Sequence, residues 1–164
     1  MKTFVDLDGV LADFFSTAVR MSEGEVKPWR DMEHRDIKKV LEKITKTPRF
    51  FANLKPFSMA NTLTYAVHNI AGGYSILSSP LSGYDGCAEE KIEWVKTHLH
   101  IEPEEIIITD DKPQYARGNI LIDDYGNNIA AWEKHGGFGI KYQADEDRLA
   151  EVLIPLTALY KGKL

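Results

Sequence analysis

Apolar positions along this chain follow two periods, and the periods alternate. Short apolar runs at 2–6, 74–78, 105–109, 119–123 and 138–142 are bounded by polar or glycine-containing segments, so each predicts a strand. Helical patterns stand between them. Ile37, Val40, Leu41 and Ile44 fall at i, i+3, i+4 and i+7, which predicts an amphipathic helix over 36–46, ended by Pro48. Further helices are predicted over 14–22, 61–71, 87–99 and 127–135, the second closed by Gly72-Gly73 and the last by Gly136-Gly137. A final helix is predicted over 145–160 with an interruption near Pro155. Residues 23–32 are polar, broken by Gly24 and Pro28, and read as loop.

Strands separated by helices predict an α/β fold, a Rossmann-like parallel sheet with helices on both faces. Residues 14–56 are too long for a simple crossover and carry their own helix. They predict a small helical cap inserted after the first strand, with 1–13 and 57–164 as the core domain. In such sheets a ligand sits beyond the C-terminal strand ends. Asp6 and Asp8, Ser78 and Ser79, Lys112, and Asp123 and Asp124 all stand at or just after such ends, so they should converge.

Composition narrows the class. The chain has 164 residues, 43% hydrophobic and 27% charged, the balance of a single globular domain. Its net charge of −5 argues against a broad nucleic-acid surface but leaves room for a local phosphate pocket. One cysteine, Cys87, permits no internal disulfide and fits a reducing, cytoplasmic setting. No apolar stretch approaches the ~18 residues of a membrane span, and the start of the chain has no signal-peptide layout.

The expected cluster has a chemistry. Two carboxylates two apart at a strand end, Asp6 and Asp8, project from one face and repel each other unless a cation or a shared proton offsets the repulsion. An Asp-rich turn in which Gly9 supplies positive φ is the plainer alternative. Oxygen-only ligands suit Mg²⁺, and Asp6, Asp123 and Asp124 could hold it. Asp6 is placed to attack phosphorus and Asp8 to protonate a leaving alkoxide. Ser78 and Lys112 can donate to phosphoryl oxygens.

The order and local sequence of these elements resemble the haloacid dehalogenase-like phosphohydrolases. Within that superfamily, Asp6-Leu7-Asp8-Gly9-Val10-Leu11-Ala12-Asp13-Phe14 is similar to the first motif of the 5'(3')-deoxyribonucleotidases. Ser78-Ser79-Pro80, Glu90-Lys91-Ile92-Glu93-Trp94-Val95, Asp111-Lys112 and Leu121-Ile122-Asp123-Asp124 resemble its later motifs in the same order. The resemblance implies that Asp6 is the phosphorylated nucleophile and that Asp8 is the general acid, then the base, with its backbone carbonyl on Mg²⁺. It implies that Ser78 and Lys112 hold the phosphoryl group, with Ser79 and Lys91 adding contacts. Asp123 and Asp124 would complete the metal site, and Phe14 with Phe50 or Phe51 would line a base pocket. The substrate implied is a small (deoxy)nucleoside monophosphate, with no stable nucleic-acid binding; a homodimer is left open. The chain departs from the family in having Ser78 for the usual threonine, a Lys112–Asp123 loop one residue longer, and Tyr125 where an arginine usually follows Asp-Asp.

Competing readings are weaker. Asp8 argues against a haloalkanoate dehalogenase, which needs no proton donor there. A different small phosphorylated metabolite, or a nucleic-acid 3'-phosphate, would use the same chemistry. A phospho-acceptor signalling domain would need its lone phosphorylated Asp on the middle strand, which here ends in Ser78. A binding-only relative would not need every catalytic position filled. Trp29 could stack on a base or form the cap's own core, whereas Trp94 and Trp132 stand at core spacing. His98 and His100 offer no third zinc ligand. The acidic run at Glu102–Glu105 and the terminal Lys161 and Lys163 read as solvated surface.

Overall fold

The structure, a computed structural model, describes residues 1–23 and 27–162. Part of the expected loop at 23–32 (residues 24–26) and the expected tail at Lys163 therefore lie outside the described residues.

Five parallel strands form one sheet: β1 (Thr3–Val5), β2 (Ser75–Ser78), β3 (Ile106–Ile108), β4 (Ile120–Asp123) and β5 (Phe138–Lys141), in the order β3-β2-β1-β4-β5. The period of two decides what each face buries. Val5, Ile76, Ile120 and Ile122 join the larger core cluster, while their neighbours Phe4, Leu77 and Leu121 join a second cluster with Trp132 and Ala116. Both faces are thus covered, and β1, β2 and β4 are buried along their whole length.

The helices are α1 (Phe14–Val19), α2 (His34–Thr45), α3 (Ala60–Ala71), α4 (Cys87–His98), α5 (Gly126–Lys134) and α6 (Ala150–Lys161). Asp13 starts α1 by accepting from the Ser16 amide at 3.1 Å. Gly72 ends α3 in the left-handed conformation, with its N–H on the His68 carbonyl. Trp94 and Trp132 are core residues as expected. Each indole N–H reaches a backbone carbonyl, Leu54 at 2.7 Å and Asn119 at 3.2 Å.

Two helices differ from expectation: α1 stops at Val19, short of the expected 22, and the last helix starts later and is not interrupted. Residues 145–149 form a turn, because the Asp147 carboxylate accepts from the Gln143 amide at 2.7 Å and the Asp147 amide bonds the Gln143 carbonyl. α6 then runs from Ala150 through Pro155 without interruption. An interior proline costs about 3 kcal/mol. Fully buried Val152 and Leu156 flank it, and burial of such side chains contributes roughly 1.5–3 kcal/mol each. Packing outweighs the lost bond. The structure also contains a short 3-10 turn at Lys112–Tyr115 that no period announces.

Residues 14–56 leave and re-enter the core side by side. The Asp13 amide bonds the Lys55 carbonyl at 2.8 Å, and the Phe57 amide bonds the Leu11 carbonyl at 2.9 Å.

Candidate functional site

The strand order places β1 between β2 and β4, so the segments leaving the C-terminal ends of these three strands meet at one edge of the sheet. Val5 is in register with Ile122, and the Asp6 amide bonds the Ile122 carbonyl at 2.9 Å. That register brings Asp6 beside Asp123. Asp124 joins them, and one carboxylate oxygen from each of the three lies within 4.8 Å of the others.

Gly9 makes this possible. It has φ +79°, and a Cβ there would stand 2.8 Å from the Asp124 carboxyl carbon. The loop around it is tightly wound. The Leu7 carbonyl accepts from the amides of Val10, Leu11 and Ala12, and the Gly9 carbonyl accepts from Ala144 at 2.9 Å.

Lys112, delivered by the 3-10 turn, is the counter-charge. Its ammonium lies 2.9 Å from Asp6 Oδ1 and 2.6 Å from Asp123 Oδ2, and it is almost fully buried. Burial works against its charge, but the carboxylates of Asp6 and Asp123 hold it above the usual lysine range. One lysine does not balance the cluster. Burial and then the Asp6 charge push Asp123 up to about 6, and burial with the neighbouring carboxylates pushes Asp124 up to about 9. A divalent cation would relieve that repulsion, and an all-oxygen donor set fits Mg²⁺. No histidine takes part. Asp123 is further fixed by the Tyr125 amide at 2.9 Å and by the Asn128 side-chain amide, 3.2 and 3.0 Å from its two oxygens.

Asp8 sits apart from that group. Its Oδ2 accepts from the Lys91 ammonium at 2.7 Å, while its buried Oδ1 has no partner among the described residues. Burial raises Asp8 above the ordinary carboxylate range; Lys91 opposes this and Asp6 adds to it. A carboxyl held toward its protonated form, with one free oxygen, can give a proton. Ser78 Oγ accepts from Lys91 at 3.1 Å, so its own proton is free to donate outward.

A cleft of about 460 Å³ opens above these groups. Asp6, Asp8, Ser78, Ser79, Lys112 and Asp124 form its floor, and Phe14, Phe15, Trp29 and Ile37 supply apolar wall. Lys91 and Phe51 stand behind this lining. Lys91 is 1% exposed and bonds Asp8, Ser78 and the Ser79 carbonyl; the Phe51 ring stacks against Phe14 and covers the Lys91 ammonium at 4.8 Å. Phe50, the other aromatic expected near the base pocket, packs edge-on against both Phe14 and Phe51. Trp29 packs edge-on against Phe14, as the cap-core reading expected, and also lines the cleft. Tyr125 lines the cleft and is 56% exposed.

Sequence reasoning missed Asn128, Gln143 and Arg30, all of which line the cleft. Asn128 was findable, since it lies four residues after Asp124 on the helix that comes after β4. Arg30 gave no signal. Its ion pair with Glu146 at 2.7 Å joins the inserted segment to the turn after β5, two elements distant in sequence.

Known proteins are similar over most of the chain. A putative 5'(3')-deoxyribonucleotidase of Bordetella bronchiseptica is 32% identical over 138 residues, covering 76% of this chain and 74% of that protein. The cytosolic-type 5'(3')-deoxyribonucleotidase of Homo sapiens is 30% identical over 142 residues, covering 76% and 70%. Among solved structures, a family IA HAD hydrolase from Entamoeba histolytica superposes with a TM-score of 0.58 at 14% identity, over 98% of this chain and 99% of that one. A HAD family hydrolase from Deinococcus radiodurans, solved with phosphate and sodium, gives 0.53 at 15% identity over 94% and 87%. The fold is therefore that of the haloacid dehalogenase-like hydrolases. The family model described as 5' nucleotidase, deoxy (pyrimidine), cytosolic type C protein matches residues 1–151, and the chain belongs to that family.

Proposed function

We propose that this chain is a Mg²⁺-dependent phosphomonoesterase that hydrolyses (deoxy)nucleoside monophosphates to nucleoside and phosphate. The observation that carries the reading is the division of the carboxylates. Asp6, Asp123 and Asp124 form one group, with Lys112 on Asp6 and Asp123, and Asp8 stands outside it with its own cation and an oxygen that has no partner among the described residues. Phosphoryl transfer to a carboxylate needs that division, with one set holding positive charge and another group moving the proton.

Asp6, Asp123 and Asp124 would hold Mg²⁺ together with the Asp8 carbonyl. When bound, the ion supplies positive charge to the phosphoryl oxygens. Lys112, with Ser78 and Ser79, orients the phosphoryl group over Asp6. A carboxylate oxygen of Asp6 attacks phosphorus and the ester P–O bond breaks. Asp8 gives its proton to the departing nucleoside oxygen. Asp8, now a carboxylate, takes a proton from the water that splits the aspartyl-phosphate, which releases phosphate and restores Asp6. Phe14 and Trp29 would face the base, in the cap formed by 14–56. A cleft of about 460 Å³ suits one nucleotide rather than a nucleic-acid end.

The relatives' names support a deoxyribonucleotide substrate, and the cytosolic-type relative supports a cytoplasmic setting. Among the described residues no helix is long and apolar enough to cross a membrane. Phosphate release from 5' and 3' (deoxy)nucleoside monophosphates, with Mg²⁺ and with EDTA, tests the reading. Release from sugar phosphates alone would contradict the nucleotide assignment.

A further inference from the structure

α4 carries Lys91 toward Asp8, and the residue before it, Glu90, reaches the turn at 49–52. The Glu90 Oε2 accepts from the backbone amides of Phe51 and Ala52, at 3.0 and 3.2 Å. The Tyr84 hydroxyl lies 3.0 and 3.1 Å from the two Glu90 oxygens and accepts from the Phe50 amide at 2.9 Å. Three consecutive N–H groups of one turn are therefore captured by two side chains. The turn begins at Arg49, a non-glycine residue at φ 62°, a conformation that persists only where its surroundings hold it.

The turn matters because of what it presents. Its Phe51 ring covers the Lys91 ammonium, whose three protons are taken by Asp8 at 2.7 Å, Ser78 at 3.1 Å and the Ser79 carbonyl at 2.6 Å. The ring packs over the ammonium at 4.8 Å, and Lys91 is 1% exposed. If the turn shifts, water reaches Lys91 and the Asp8 carboxyl loses its fixed orientation.

We propose that Glu90, with Tyr84, is a positioning residue for turnover: it fixes the Phe51 turn and thereby holds Lys91 against the proton-donating Asp8. This rests on the phosphatase reading above. It adds a link between the end of the inserted segment and the reacting groups, made by the adjacent residues Glu90 and Lys91 of one helix.

The test compares wild type, Glu90→Ala, Glu90→Gln and Tyr84→Phe by thermal melting and by steady-state kinetics. The substrates are p-nitrophenyl phosphate and deoxyuridine 5'-monophosphate. Glu90→Ala is expected to lower kcat at least about tenfold on both, the order of loss that misplacing a proton donor produces. KM for p-nitrophenyl phosphate should stay within about twofold, since that substrate carries no nucleobase to set against Phe14. KM for the nucleotide should rise. Glu90→Gln should restore most of kcat, because an amide oxygen accepts the same two N–H bonds. A purely stabilising role would lower the melting temperature with kcat unchanged, and that result overturns the proposal. So does a Glu90→Gln as impaired in kcat as Glu90→Ala. If Glu90→Ala does not fold, Tyr84→Phe decides: a lowered kcat supports the proposal and a wild-type kcat overturns it. A wild type inactive on both substrates would instead overturn the phosphatase reading, and this one with it.

Discussion

At the scale of single residues, the site depends on how two neighbouring carboxylates are treated differently. Asp6 is paired with Lys112 at 2.9 Å and clusters with Asp123 and Asp124, whereas Asp8 is paired with Lys91 and raised by burial. Replacing Asp6 by Asn would remove the proposed nucleophile but leave the Lys112–Asp123 pair, so turnover should vanish while the melting temperature barely moves. Asp8→Asn should slow both formation and hydrolysis of the phosphorylated Asp6, by roughly 10²–10⁴-fold, the range for a lost general acid–base group. Rapid-quench measurement of the two steps checks this; a variant slowed in only one step would contradict the double role. Phe14 belongs to the substrate side. Base stacking contributes roughly 1–3 kcal/mol, so Phe14→Ala should reduce kcat/KM on a nucleotide by about 5- to 150-fold and leave p-nitrophenyl phosphate nearly untouched. Equal losses on both would remove the stacking role.

At the scale of elements, α4 is the piece that ties the inserted segment to the core. Trp94 gives its N–H to the Leu54 carbonyl at 2.7 Å, one residue before the segment's return leg. Trp94→Phe would keep most of the packing but leave that buried carbonyl unpaired, a cost of about 1–3 kcal/mol. Denaturant melting should show a loss in that range, and an unchanged midpoint would mean the carbonyl finds water. The elements were legible where one period ruled. Ile76 and Leu77, or Leu121 and Ile122, stand in continuous apolar runs, the pattern of strands buried on both faces. They were illegible where long-range packing overrode local preference, as at Pro155, or where a turn has no period, as at Lys112–Tyr115. The site divided in the same way. Asp6, Asp8, Ser78, Lys112, Asp123 and Asp124 could be placed because each stands at or near a strand end. That Lys91 and Phe51 sit behind the cleft, and that Arg30 reaches Glu146, depends on side-chain direction and on contacts between distant segments.

At the scale of the whole molecule, the parallel sheet gathers negative charge at one edge, and the fold must tolerate it. Burial and neighbouring carboxylates push Asp123 and Asp124 in the folded state up to about 6 and about 9, above the ordinary value near 4. A raised carboxylate binds its proton more tightly folded than unfolded. Its contribution is therefore favourable at low pH and is lost as pH climbs from about 4 toward about 9. The metal-free protein should lose stability across that window. Mg²⁺ held by the folded arrangement alone would restore stability, and the rise in melting temperature it produces should grow with pH. Melting curves at pH 5, 7 and 9, with Mg²⁺ and with EDTA, check the sign; a shift independent of pH would mean the carboxylates are not what the ion neutralises.

The most direct test of the central claim is phosphate release from a panel of 5' and 3' (deoxy)nucleoside monophosphates and sugar phosphates, each with Mg²⁺ and with EDTA. Release is expected to require Mg²⁺, to favour deoxynucleotides and to disappear in Asp6→Asn. Release that persists in EDTA, or that survives the loss of Asp6, would contradict the claim.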